Sequence, residues 1–251
     1  MRLAAGWSAV GRSHVGHVRA RNEDHFVISP ERGLCAVADG IGGGPAGDVA
    51  SKLACVTLVS AMGEGATAAH AGDTLMSAFA AADRAVLDAG RTNRSLNGMG
   101  TTLSAIWFRD PAAANSTVCF GHVGDSRIYV LRPTGLEQIT QDDTVAMDLV
   151  RQGDMTLAEA KRSIYWHYLS QSISGHAPIR PQTGEVDLKT ATAVLLCSDG
   201  LSNMIGDAEI ENILGGALDD LGEDSAEALV EAALRNGGGD NVTVIVLSRT
   251  G

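Results

Sequence analysis

The sequence predicts an α+β fold built on antiparallel sheets, and three observations carry that expectation. Short apolar runs cluster as strands, helical stretches fall in pairs between the clusters, and strict β-α-β alternation is missing. Strand-like runs open the chain at residues 7–10, 25–29 and 34–39. The turn-forming Pro30-Glu31-Arg32-Gly33 joins the last two into a hairpin. After a glycine-rich stretch, Asp48 is expected to cap a helix whose apolar face carries Val49, Leu53 and Val56. A second helix is expected over about residues 73–89. Strands at 101–108, 117–123, 127–131 and 136–140, joined by connectors containing Pro111 and Gly124, read as an antiparallel meander. From residue 142 to 163 the pattern turns helical, with a capping-box signature in Thr156-Leu157-Ala158-Glu159. The stretch Ile164-Tyr165-Trp166-His167-Tyr168-Leu169 is unusually aromatic for a chain with 4% Phe, Trp and Tyr, and is expected to form a flap beside a site. Strands near 183–187 and 193–197, a short helix near 207–214 and a helix over 225–235 follow. That last helix turns Ala226, Leu229, Val230 and Ala233 inward, and a strand at 242–247 ends the pattern.

At 251 residues and 45% hydrophobic, the chain is long enough for one large core. One domain over residues 1–251 is expected, with a flap insertion around 142–178. The net charge of −11 and the lack of a Lys/Arg run argue against nucleic-acid binding, because a polyanion needs a basic footprint. Cys35, Cys55, Cys119 and Cys197 lie in apolar segments without a C-x-x-C pair, which reads as buried thiols in a reducing cytosol. No N-terminal stretch has signal-peptide character, and no segment approaches the roughly 18 to 20 apolar residues of a membrane span. A cytoplasmic monomer, free of membrane contact, is the expectation.

Four short acidic motifs carry the chemistry: Arg19-Ala20-Arg21-Asn22-Glu23-Asp24, Val37-Ala38-Asp39-Gly40, Cys197-Ser198-Asp199-Gly200 and Gly239-Asp240-Asn241. Any one Asp-Gly pair is an ordinary turn. Asp39 and Asp199, however, end strongly apolar runs, and Asp240 stands just before another. Several acids at the ends of buried strands repel one another unless a cation compensates them. The donors are all oxygens and the histidines show no tight spacing, which selects Mg²⁺ or Mn²⁺ over Zn²⁺. Two such ions about 3.5 to 4 Å apart would activate a shared water for in-line phosphoryl displacement, so a phosphate ester is the natural substrate class. Neither Ser126 nor Ser198 sits in G-x-S-x-G, which argues against a serine nucleophile.

Six motifs in order make the chain resemble the metal-dependent protein phosphatase family of the protein phosphatase 2C type, in particular its compact bacterial Ser/Thr phosphatases. They are Gly16-His17-Val18-Arg19-Ala20-Arg21-Asn22-Glu23-Asp24, Ala38-Asp39-Gly40-Ile41-Gly42-Gly43, Gly98-Met99-Gly100-Thr101-Thr102-Leu103, Gly121-His122-Val123-Gly124-Asp125-Ser126-Arg127, Leu196-Cys197-Ser198-Asp199-Gly200-Leu201 and Gly239-Asp240-Asn241-Val242-Thr243. The resemblance implies a four-layer α/β/β/α sandwich, two central antiparallel β-sheets flanked by helix pairs. It implies that Asp39 bridges two metals, Mn²⁺ or Mg²⁺, with the Gly40 carbonyl, Asp199 and Asp240 as further direct ligands. Glu23 and Asp24 would act largely through coordinated waters, Asp125 with Asp199 would serve a third, weaker ion, and Arg19 would hold the substrate phosphate. Gly40, Gly42 and Gly43 would let the backbone pass close to metal and substrate, and Thr101 and Thr102 would orient neighbours. The partners implied are phosphorylated Ser/Thr proteins and a cognate Ser/Thr kinase.

The chain also departs from the family pattern. Ile41 stands where animal members carry a histidine thought to protonate the leaving alkoxide, which leaves His122, His167 and His176 as candidates by residue type alone, or a metal-bound water in their place. Trp166 and Tyr168, in a flap that departs from the family pattern, are expected to shape a phosphopeptide groove. Two other readings stand beside protein dephosphorylation: a two-metal phosphatase for small molecules, and a non-catalytic phosphoprotein-binding module. The second would be expected to lack a ligand, and Asp24, Asp39, Asp199, Asp240 and Arg19 are all present.

Overall fold

The computed structural model describes residues 1–42, 46–62, 71–112, 117–216 and 223–250. Eleven strands among them form two antiparallel sheets. The first sheet has the order β1 (Arg2–Ala4), β2 (Trp7–His14), β11 (Val242–Arg249), β10 (Ala193–Cys197), β7 (Arg127–Arg132) and β8 (Gly135–Gln138). The second runs β3 (Asp24–Ser29), β4 (Leu34–Asp39), β5 (Leu103–Trp107), β6 (Thr117–Val123) and β9 (Gln182–Asp187).

Strand alternation makes the layers. In β10, Val194 and Leu196 join Ile245 and Leu247 of β11 and Cys35 and Val37 of β4 in the core between the sheets. Ala193, Leu195 and Cys197 point the other way, onto α6 (Asp207–Gly216) and α7 (Glu223–Arg235) through Ile210, Leu214, Ala226 and Leu229. In β4, Leu34, Ala36 and Ala38 meet α1 (Gly47–Ala61) and α2 (Ala71–Thr92) through Ala54, Leu58, Leu75 and Phe79. A strand buried on both faces reads as a continuous apolar run, which is how these strands appear in sequence. Each buried Leu, Val or Phe contributes roughly 1.5 to 3 kcal/mol, and three stacked apolar layers hold the sandwich.

Several local expectations change. Ala46, with a left-handed φ of 54°, precedes α1 as its cap, and Asp48 lies inside the first turn, where its charge suits the positive end of the helix. The buried face of α1 carries Ala50, Ser51, Ala54, Cys55 and Leu58, whereas Val49 and Val56 are exposed. Small residues face inward because the helix sits close against β3 and β4, and the larger apolar side chains therefore misled the periodicity. The expected meander is divided: β5 and β6 pair in one sheet, β7 and β8 in the other. The chain changes sheets at Gly124, whose φ of 109° allows the sharp crossing. Strand β1 and the short helix α5 (Asp199–Ser202) have no counterpart in the sequence reading, and α2 is longer than expected.

Residues 142–178 leave the sandwich and return. They hold α3 (Val145–Gln152), capped by the Thr144 hydroxyl accepting from Met147 N, and α4 (Leu157–Ala160), with the full capping box of Thr156 and Glu159. A 3-10 turn, Ile164–His167, follows. The root is tied down: Asp143 N donates to Gly124 O at 2.7 Å, Ser170 N to Asp143 O at 2.8 Å and Val145 N to Tyr168 O at 2.8 Å. Arg127 adds a two-pronged, buried ion pair with Asp142, at 2.9 and 2.7 Å. Among the described residues no helix is long and apolar enough to cross a membrane.

Candidate active site

Antiparallel pairing brings every acidic motif to one end of the sandwich. Asp24 opens β3 directly across from Asp39, which closes β4. Cys197 at the end of β10 pairs with Val244 near the start of β11 and with Arg127 at the start of β7, so Asp199, Asp240 and Asp125 all emerge at that end. Together with Arg19, Glu23, Gly40 and Thr102, Asp39, Asp125, Asp199 and Asp240 line a pocket of about 720 Å³. Asp24 is 8% exposed and lies beneath it.

Hydroxyls and amides fix the floor. Ser198 Oγ donates to Asp24 Oδ2 at 2.8 Å, and Thr243 N donates to Ser198 Oγ at 3.0 Å, which staples the two sheets together beneath the pocket. Asp39 N donates to Thr102 Oγ1 at 2.9 Å, while Thr101 Oγ1 donates to Asp39 O at 2.8 Å. The two threonines therefore orient the Asp39 backbone, as expected. Gly40 is required because a Cβ there would collide with the Gly47 carbonyl. Asn203 Nδ2 donates to Asp199 Oδ2 at 3.0 Å. The expected role of Gly43 falls on a residue outside those described.

Burial works against charge on these acids. It lifts the Asp24 carboxyl to about 6, against which the Thr243 and Ser198 hydroxyls pull downward. Asp39 is raised well above its ordinary value by burial, then by the charges of Asp24, Asp199 and Asp125. Burial and the Asp199 charge likewise raise Asp125, and burial and Asp240 raise Asp199. Asp24 Oδ1 is buried without a hydrogen-bond partner. A crowded set of oxygen donors with an orphaned buried oxygen fits a hard divalent cation, whose charge reverses each of these penalties. The acids ring the pocket without closing on a single point. Among the described residues no three His, Cys, Asp or Glu side chains are drawn together as a finished cation cage.

Arg19 reaches over this floor from the loop before β3. Its Nη2 donates to Asp240 Oδ2 at 2.7 Å, and its guanidinium lies so close to Gly42 that a Cβ there would stand 2.7 Å from Nη1. The loop is held by Asn241, which the sequence reading passed over. Asn241 Nδ2 donates to Val15 O and Arg21 O, each at 2.9 Å, and its Oδ1 accepts from Glu23 N at 2.7 Å. Its place beside Asp240 was the available signal, since an asparagine supplies both donor and acceptor in one plane. From the flap, His167, Tyr168, Leu169 and Ser172 line the opposite rim, whereas Trp166 faces a neighbouring pocket of about 570 Å³ with Lys161 and Leu157. Of the pair expected to shape a groove beside the site, only Tyr168 reaches this pocket.

The sequence profile of the Protein phosphatase 2C family matches residues 10–235. The chain belongs to that family. It is 38% identical over 238 residues to the serine/threonine protein phosphatase PstP of Mycobacterium tuberculosis, a match covering 94% of this chain but 43% of PstP. The chain thus spans less than half of that relative. It is 33% identical over 244 residues to the serine/threonine phosphatase stp of Listeria monocytogenes, covering 95% of this chain and 94% of that one. A crystal structure of the catalytic domain of PstP in complex with two manganese ions superimposes with a TM-score of 0.82 at 37% identity, covering 98% of this chain and 99% of that one. This protein phosphatase 2C family member has the two-sheet sandwich with helix pairs on its outer faces that its sequence implies.

Proposed function

We propose that the protein is a metal-dependent serine/threonine protein phosphatase. It would hydrolyse phosphoserine and phosphothreonine on proteins and so reverse a bacterial Ser/Thr kinase. The observation that carries this reading is the meeting of Arg19 with Asp39, Asp199 and Asp240 in one pocket of a family member. PstP, crystallised with two manganese ions, supports the choice of cofactor, and the oxygen-only donor set supports Mn²⁺ or Mg²⁺. Residues 1–251 would act as a single catalytic domain whose flap spans about 142–178. Four buried thiols support a reducing, cytoplasmic setting, and a monomer suffices because one chain supplies the whole pocket.

Asp39 would bridge two ions, with the Gly40 carbonyl, Asp199 and Asp240 as direct ligands and Glu23 and Asp24 acting through water. Asp125 with Asp199 would hold a third ion more weakly. When bound, the ions supply an activated water and neutralise charge on the phosphoryl group. The chain's own residues do the rest. Arg19 leaves Asp240 to grip two phosphate oxygens with its forked donors. Asn241 holds the Arg19–Glu23 loop in register with the floor, and Thr101 and Thr102 fix the Asp39 backbone. Ser198 keeps the Asp24 oxygen aimed and supplies the hydrogen bond that its burial demands.

Initial rates on a phosphothreonine peptide with Mn²⁺, Mg²⁺ or chelator test the reading. Metal-dependent release of phosphate by the wild type, abolished in Asp199→Asn, is expected. A folded wild type that binds Mn²⁺ but releases phosphate from small esters alone would point to a small-molecule phosphatase, and one that releases none would point to a binding module.

A further inference from the structure

The pocket has two chemically different ends. Its floor is a set of carboxylates on strand ends, and its mouth is formed by Arg19, Ile41 and the flap residues His167 and Tyr168. Ile41 is 37% and Tyr168 60% exposed, and His167 is exposed beside them. In an in-line displacement the leaving oxygen departs from the face of phosphorus opposite the attacking water. With the water over the carboxylate floor, the serine or threonine oxygen points to the mouth. An alkoxide is a poor leaving group, so it requires a proton as the bond breaks.

Few side chains at the mouth can supply one. Arg19 keeps its proton at any working pH, the amide of Asn203 is not an acid, and the Ile41 side chain has no proton to give. Tyr168 offers a phenol, as a class a far weaker acid than an imidazolium. His167 is the one histidine among the described residues lining the pocket. The other histidines among the described residues lie outside this lining, His17 beside His14 and Gly238. His122 is fully buried between Ser104 Oγ at 2.8 Å and Gln141 O at 3.2 Å. His176 lines a separate small cavity with Leu87 and Met99. His14 Nδ1 accepts from Gly16 N, and His25 lies on β3 outside the pocket lining.

The flap also holds His167 where a donor is needed. Tyr168 N donates to Tyr165 O at 3.2 Å, the next residue pairs with Thr144, and that segment is rooted at Asp143. His167 and Asp199 interact electrostatically across the pocket without forming an ion pair, so the imidazole remains available.

We propose that His167, delivered by the flap, is the proton donor to the leaving serine or threonine oxygen. It fills the role left open by Ile41, and the inference rests on the protein phosphatase reading above. In the step, the water oxygen forms a bond to phosphorus while the ester P–O bond breaks. The electron pair of that bond passes to the serine or threonine oxygen, which takes the ring N–H proton of His167. Products are inorganic phosphate and the free hydroxyl; the proton released by the attacking water returns through solvent to the imidazole.

The test varies the leaving group. Wild type and His167→Gln are compared on a phosphothreonine peptide and on p-nitrophenyl phosphate, whose phenolate departs without needing a proton. The expected result is a fall in kcat of about 10²-fold on the peptide with a change under about threefold on the aryl ester. His167→Ala should regain peptide turnover with added imidazole and gain nothing from it on the aryl ester. Equal losses on both substrates, no loss on the peptide, or no rescue would overturn the assignment. Wild type that turns over the aryl ester and no phosphopeptide would instead overturn the underlying reading, and the inference with it.

Discussion

The floor and the mouth of this pocket are built on opposite plans. The floor stands on strand ends, where acids are fixed by pairing register and by polar partners: the Thr102 hydroxyl accepts from Asp39 N, while Ser198 donates to Asp24 and Asn203 to Asp199. The mouth stands on an interstrand loop and a flap, and Arg19 has one ion pair, to Asp240, that its proposed grip on phosphate would have to break. Rigid elements place atoms more closely than loops do, and a dinuclear centre tolerates less misplacement than substrate recognition. The difference predicts that changes in the floor abolish chemistry, whereas changes at the mouth rescale it.

The largest effect is expected from the floor. Asp39→Asn keeps the shape of the side chain and removes the charge proposed to bridge two ions, so kcat should fall by at least about 10³-fold, the equivalent of some 4 kcal/mol. Isothermal titration with Mn²⁺ should show weakened binding in the same variant. Near-normal Mn²⁺ affinity would break the comparison, because the acid fixed most firmly would then not be a ligand.

A second prediction concerns pH and metal removal. Asp24 sits at about 6 when folded, against about 4 in an unfolded chain, and Asp39 is raised as well, both chiefly by burial. A raised carboxyl contributes stability that is complete below its unfolded value and lost as pH rises through its folded value. The chelated protein should therefore lose stability between about pH 4 and 6, by about 3 kcal/mol for a two-unit shift. Mn²⁺ should restore it at neutral pH, where the ligands must be ionised. Melting temperatures measured with and without chelator across that range check it. A chelated protein that gains stability toward neutral pH would mean that the floor is not strained by its own charges.

The floor was also the part legible in the sequence. Asp39 and Asp199 advertise themselves by ending apolar runs, and the same runs fixed β4 and β10 almost to the residue. Asn241 was missed because its hydrogen bonds go to residues 15, 21 and 23, more than two hundred positions away. No local pattern reports contacts of that kind. The division of the meander between two sheets escaped for a related reason, since Gly124 looks like any turn glycine until its φ is known. The inward face of α1 was hidden because alanines, a serine and a cysteine fill most of it, while Val49 and Val56 face outward.

Asn241 lies between the two regions and should respond accordingly. Asn241→Ala removes three hydrogen bonds and leaves Glu23 N without its acceptor, at a cost of about 2 to 3 kcal/mol in denaturant unfolding. The released Arg19–Glu23 loop should raise KM for a phosphopeptide as well. A loss of stability with unchanged KM would show that the loop is registered by the floor alone.

The smallest effect is expected at Arg19 itself. Arg19→Lys preserves the charge and the attraction to phosphate but replaces a planar fork with a single ammonium, losing one of two parallel hydrogen bonds. A weakening of about tenfold in KM is expected, near 1.4 kcal/mol, with kcat little changed if the lost contact is equally strong in the ground and transition states. The close approach of the guanidinium to Gly42 sharpens the test. Gly42→Ala would push Arg19 aside without altering its chemistry, and should raise KM in the wild-type background more than in Arg19→Lys, whose slimmer head group avoids the added methyl. Equal responses in the two backgrounds would mean that Arg19 reaches the phosphate from a position clear of Gly42, and that the mouth rearranges more than its one ion pair suggests.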